Sequence, residues 1–292
     1  EGGAMKKGNF HPYAGIAIVG WSLAYVYTRI ALQHFSAYSL GFLRYFFASG
    51  VLALIVALLK IKLPEKKDLG LFLASGTLGF ALYVVVFNIG SAAVTSATGS
   101  VIISAAPVIT ALLARVFYGE RLNALQWLAI VVEFVGVTVL ALGNGTFVLN
   151  LGVLWLSLAA LCLGSYSLTQ RKLTRSYTAF QSSAFSIFAG TLVLSVFAPS
   201  SMREIAGASS NHLFALAMLA VFPSGIAYIA WSKALSIADD MSSVSNYMFL
   251  TPFVAALLGF IIAEEVPDAS TLLGGTIVLG GVLLFNVGNQ HP

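Results

Sequence analysis

Charge is what this sequence lacks most: Asp, Glu, Lys and Arg make up 9% of its 292 residues, where soluble domains carry about a quarter. With 59% hydrophobic residues and a mean hydropathy of +0.92, that scarcity excludes a water-soluble globule and leaves a lipid-embedded chain. The one cysteine, Cys162, excludes an intrachain disulfide and says nothing of redox compartment. Its apolar surroundings read as core packing. Histidines are almost as few, and His11, His34, His212 and His291 fall in loops, termini or helix ends. No span therefore offers metal-ligand spacing or a Cys/His pair, so neither an enzyme nor a cofactor is expected. Gly274-Gly275 and Gly280-Gly281 follow no strand, which removes a nucleotide-binding reading and leaves close helix packing.

What the sequence has is long apolar runs. Bounded by charge or turn clusters, they predict helices at about 12–32, 37–59, 69–89, 95–117, 123–142, 151–171, 178–197, 212–234, 243–263 and 269–287. In lipid, runs of nearly 20 apolar residues without strand-like alternation satisfy their backbone only as helices. The expectation is an all-α membrane protein of about ten transmembrane helices. Loops this short leave no room for a soluble domain. Glu1–Ala4 precede Met5 and read as an appended stretch. Lys6 and Lys7 before an apolar run imitate a signal peptide, but the run is span-length and is read as a retained first helix.

With the N-terminus inside, one side collects Lys6, Lys7, Lys60, Lys62, Lys66, Lys67, Arg115, Arg121, Arg171, Lys172, Arg175 and Lys233, and the other only Arg29 and Arg203. This asymmetry predicts that both termini are cytoplasmic. It also explains the net charge of +4 as a topology signal. Nucleic acid is not expected as a partner; the lipid bilayer and a small-molecule substrate are.

A shift of about 145 residues sets residues 81–140 on 226–285 without a gap. Tyr83 then meets Tyr228, Pro107 meets Pro252, Glu120 meets Glu265, and Gly136-Val137 meets Gly281-Val282. A slightly smaller shift sets Tyr25 on Tyr166. The expected organisation is an appended stretch and cytoplasmic N-terminus at 1–11, a five-helix repeat at 12–142, a linker at 143–150 and a second repeat at 151–288. An odd helix number per repeat inverts the second repeat, a plan that recurs in secondary transporters. A duplicated channel or structural bundle is the alternative.

Pro107, followed by Tyr118-Gly119-Glu120-Arg121-Leu122, and more loosely Pro252, followed by Ala263-Glu264-Glu265-Val266-Pro267, resemble the drug/metabolite transporter superfamily. The likeness is to its EamA-type ten-helix members. It covers nearly all of residues 12–288 and implies export of amino acids, other metabolites or toxic organic compounds. The overall pattern is nearest to the superfamily's aromatic amino acid exporters. The second half departs from the motif where Glu264 replaces a glycine, which puts a shared role of Glu120 and Glu265 in question.

Pro107 and Pro252 lie within predicted helices and are expected to kink them, shaping a gate or cavity in preference to a tolerated packing kink. Pro223 has no counterpart, Leu78 standing opposite, and is read as a place where the halves differ. Ser96, Ser100 and Ser104 share a helix face, as do Ser242, Ser245 and Asn246, and either face suits cavity lining or helix packing. The resemblance would place Trp21, Tyr25, Tyr83, Tyr166, Tyr228 and Trp231 around a substrate cavity, membrane-interface or lipid contact being the alternative for any one of them. Arg44 and Glu133 are intramembrane ionisable residues. Arg44 is read either as a substrate-carboxylate or gate residue or as a snorkelling side chain, and Glu133 as a candidate proton sensor. The leading reading is a secondary transporter of small amphipathic metabolites, aromatic amino acids first. Its rivals are a nucleotide-sugar or phosphate-ester transporter, which requires several cavity cations, and a channel or sensor without a transport cycle.

Overall fold

The computed structural model describes residues 9–142, 150–238, 244 and 246–290, with the backbone alone at 141, 142, 246, 289 and 290. All regular structure among the described residues is helical. Among the described residues, eight helices are long and apolar enough to span a bilayer: α1 (His11–Ala31), α2 (Ala37–Leu58), α3 (Lys66–Ser91), α4 (Ser96–Tyr118), α6 (Leu151–Leu173), α7 (Ala179–Ala206), α8 (Ser210–Ile237) and α10 (Ala269–Gln290). Between them lie the shorter apolar helices α5 (Ala124–Leu142) and α9 (Tyr247–Ala263). The chain is thus a multi-pass membrane protein.

Helix α7 outruns its expected end near 197. Through a 3-10 turn at Ser195–Phe197 it enters Ala198–Ala206, where Pro199 opens a fresh helical turn. This last piece is polar because it holds the start of α2: Glu204 accepts from the Ser36 amide at 2.8 Å and from the hydroxyls of Ser36 and Ser39 at 2.9 and 2.8 Å.

The halves share irregularities that hydropathy does not show. Helix α3 contains a π-helical stretch at Thr77–Leu82, and α8 contains one at Phe222–Ile226. The 145-residue shift superposes them. Pro223 therefore marks a place where the halves agree in backbone, correcting its reading as a point of divergence. Each π stretch widens one turn and so rotates the side chains beyond it to a new face.

Helices α4 and α9 are interrupted in equivalent places, and the expected proline kinks take a different form. Helix α4 breaks at Ser104-Ala105 and restarts at Ala106, with Pro107 in its first turn. In α9 a 3-10 turn at Asn246–Leu250 gives way to an α-helix at Thr251, with Pro252 again in the first turn. A first-turn proline loses no intrahelical bond, so each one starts a segment instead of bending a continuous helix.

Both interrupted helices end on a left-handed residue, Gly119 at φ 70° and Glu264 at φ 53°. The glycine that the motif lacks is thus replaced by a strained glutamate in the same backbone conformation. Glu264→Gly should relieve that strain and stabilise the protein by about 1 kcal/mol, read as a higher melting temperature in detergent. An unchanged or lower value would show that the Glu264 side chain compensates.

Packing between the halves follows the same symmetry. Helix α1 lies on α8 and α9, while α6 lies on α3 and α4; α5 pairs with α10, and α2 with α7. The α3–α7 crossing brings backbone against backbone: a Cβ added at Gly76 would stand 2.5 Å from both the Gly190 nitrogen and the Ser186 oxygen.

Candidate functional site

The halves meet around Arg44. Although it was open to a snorkelling reading, Arg44 is 5% exposed and turns into the bundle, where its Nε donates to the Ser224 hydroxyl at 2.6 Å. Ser224 belongs to the π stretch of α8 and in turn donates to the Leu219 carbonyl at 2.9 Å. The guanidinium carbon lies 5.2 Å from the Tyr45 ring centroid. Among the described residues no carboxylate pairs with Arg44. Tight approach of α2 to α3 places it there: a Cβ at Gly41 would be 2.8 Å from Val84 Cγ1.

Aromatic side chains surround this cation. Phe80, in the π stretch of α3, has ring centroids 5.3 Å from both Tyr45 and Tyr166 and 5.8 Å from Tyr228. Tyr83 begins the α-helix after that stretch and stacks on Phe87 at 5.5 Å, and Phe87 meets Tyr25 edge-on at 5.4 Å. Trp21 joins Tyr228 at 5.6 Å and Trp231 at 5.1 Å. Of the residues expected at a site, Trp21, Tyr25, Tyr83, Tyr166, Tyr228, Trp231 and Arg44 thus come together.

Others lie elsewhere. Ser100 is buried and donates to the Ala97 carbonyl at 2.8 Å, and Ser104 to Val101 at 2.6 Å, so both hydroxyls are engaged by their own helix. Glu133 is buried at the α5–α10 contact, where a Cβ on Gly281 would approach its Cγ to 2.5 Å, and among the described residues its Oε1 has no hydrogen-bond partner. Pro107 is exposed and Pro252 buried. Ser242, Ser245 and the Asn246 side chain lie outside the described residues. Tyr45, Phe80 and Ser224 belong to the cluster without having been anticipated. Tyr45 had a signal in its adjacency to Arg44, but Phe80 and Ser224 reach the site through π stretches that helical periodicity hides.

Two repeat-related sequences match the EamA-like transporter family model, residues 11–142 and 150–287. The chain belongs to the EamA-like transporter family. This EamA-like chain is 30% identical to the uncharacterized transporter YdfC of Bacillus subtilis, over 90% of this chain and 86% of that protein. It is 29% identical to a probable terminal-alkyne amino-acid exporter of Streptantibioticus cattleyicolor (93% and 91% covered) and 27% to an S-adenosylmethionine uptake transporter of Rickettsia prowazekii (92% and 90%). One solved crystal structure shares the fold, with TM-score 0.62 and 17% identity over 97% of this chain and 99% of that one. In this EamA-like transporter the central cluster joins one fixed cation to aromatic walls. Such a cluster suits binding of an anionic head and a flat or apolar body.

Proposed function

We propose that the protein is a secondary transporter that carries small amphipathic metabolites with a carboxylate, amino acids with aromatic or extended apolar side chains first, by alternating access at the Arg44 cluster. The observation that carries this reading is a buried guanidinium that has no carboxylate partner among the described residues, set against Tyr45 and, through Phe80, beside Tyr166 and Tyr228 of the other half. A desolvated lone cation is costly unless an anion visits it. The substrates named for two relatives, a terminal-alkyne amino acid and S-adenosylmethionine, both carry an α-amino carboxylate. A nucleotide sugar concentrates more negative charge than one guanidinium balances. In the proposed orientation both termini and the 60–68 loop are cytoplasmic in a bacterial inner membrane.

Saturable uptake of aromatic amino acids into proteoliposomes, measured with and without a proton gradient, is the expected result. Single-channel currents without saturable uptake would overturn it. Orientation is read separately by labelling a cysteine at position 66 in a Cys162→Ala background; reaction with an impermeant reagent outside sealed cells would refute it.

Tyr83 and Tyr228 test the walls. Alanine at either position should weaken apparent affinity by about two- to tenfold, from the roughly 0.5–1.5 kcal/mol of an aromatic contact. Phenylalanine should spare transport wherever the ring face matters more than the hydroxyl. Normal saturation kinetics in both alanine variants would make these tyrosines packing residues.

A further inference from the structure

At the end of the bundle away from the termini, Arg29 of α1 pairs with Glu265, which follows α9. Glu265 also accepts from the Ser96 amide at 2.7 Å and the Ser96 hydroxyl at 3.1 Å, so one carboxylate ties the starts and ends of three helices. Its side chain is 10% exposed. At the terminal end, Arg171 of α6 pairs with Glu120, which follows α4, at 2.6 Å. There both side chains lie open, 50% and 44% exposed.

These pairs are counterparts. Glu120 and Glu265 coincide under the 145-residue shift, each stands one residue beyond a left-handed helix end, and each meets an arginine near the end of the other half's first helix. Each pair therefore joins one half to the other, and the two pairs do so at opposite ends. A chain of this symmetry exchanges its open and closed ends by exchanging the conformations of its halves. Unequal burial of two equivalent ion pairs is the expected mark of a structure caught in one of those two states.

We propose that Glu265 and Glu120 are alternating latches of the transport cycle. In this structure Glu265 is engaged, holding α1, α4 and α9 together and shutting the end away from the termini. In the opposite state it releases Arg29 and Ser96, while the Glu120–Arg171 pair, already formed here but open to solvent, is buried as the terminal end closes. A cavity of about 180 Å³ at the shut end, lined by Arg29, Thr95, Thr98, Asp268 and Thr271 among others, reaches the latch arginine. Water or a polar ligand thus has access to the pair that must part. The inference rests on the alternating-access reading but specifies residues far from the Arg44 cluster.

Its test measures conformation without any substrate. In a Cys162→Ala background, spin labels at Ala92→Cys and Val266→Cys report the end away from the termini, and Phe117→Cys and Arg175→Cys the terminal end. All four native positions are exposed. In reconstituted protein, E265Q should shift the 92–266 distances longer and the 117–175 distances shorter. E120Q should shift both in the reverse sense, and E120Q/E265Q should return toward the parent distribution. Reversing the charges in R29E/E265R restores the ion pair but not the Ser96 bonds, because arginine has no acceptor, so it should return the distances part of the way to the parent values, which separates a lost ion pair from misfolding. Unchanged distances in E265Q, or shifts of the same sense in both single variants, would overturn the proposal. Opposed shifts in a protein that transports no amino acid would uphold the latches and refute the substrate reading.

Discussion

Replacing Arg44 with alanine is expected to raise the half-saturating concentration of a carboxylate-bearing substrate by roughly ten- to a hundredfold. Hydrogen bonds to a charged group contribute about 1.5–3 kcal/mol, and the shielded position of Arg44 keeps water from substituting for the lost partner. Organic cations without a carboxylate should lose less, because their path keeps its aromatic walls and sheds a repulsive charge. Lysine should restore transport only in part, since a point charge replaces a planar fork. Stability provides the control. Truncating a buried cation that has no carboxylate partner among the described residues removes a desolvation cost, and Ser224 keeps its bond to Leu219, so the melting temperature should hold or rise. A fall of several degrees, with all substrates affected alike, would assign Arg44 to structure.

Much of this architecture is legible in the sequence because the bilayer reduces the problem to length and hydropathy. The spans follow from apolar runs, and the repeat from Tyr83 and Tyr228, Pro107 and Pro252, Glu120 and Glu265. The site is legible in part. Arg44 announces itself as a charge inside a span, yet its direction depends on Ser224, a residue 180 positions away whose hydroxyl is aimed by a π stretch. An irregular turn of that kind changes hydrogen bonding without changing composition, so neither Phe80 nor Ser224 stands out by spacing. Serine spacing fails for a related reason. Ser100 and Ser104 share the face that periodicity predicts, but each hydroxyl bonds a carbonyl three residues back, a local alternative always open to helical serine. Glu264 departs from the motif in identity alone, since its left-handed φ matches that of Gly119.

The α3–α7 crossing is expected to tolerate no side chain. A Cβ at Gly76 would lie 2.5 Å from backbone atoms of Gly190 and Ser186, and one at Gly190 would lie 2.7 Å from the Gly76 oxygen. No rotamer relieves such overlaps, because Cβ is fixed by the backbone and so are the atoms it meets. The helices must separate. Overpacking a core costs about 1–3 kcal/mol when side chains can yield, so Gly76→Leu should cost about 3 kcal/mol or more and leave little folded protein. Gly50→Leu is the matched control, since a Cβ there meets nothing within 4 Å. The milder Gly76→Ala carries the functional argument: Gly76 immediately precedes the π stretch that aims Phe80 and Tyr83, so a displaced α3 should misplace the cluster in protein that still folds. Its expected signature is a lower melting temperature together with weakened substrate affinity, measured by thermal unfolding in detergent and saturation kinetics in proteoliposomes. Wild-type values for both in Gly76→Ala would show that the helices separate at no cost and that the crossing does not set the site.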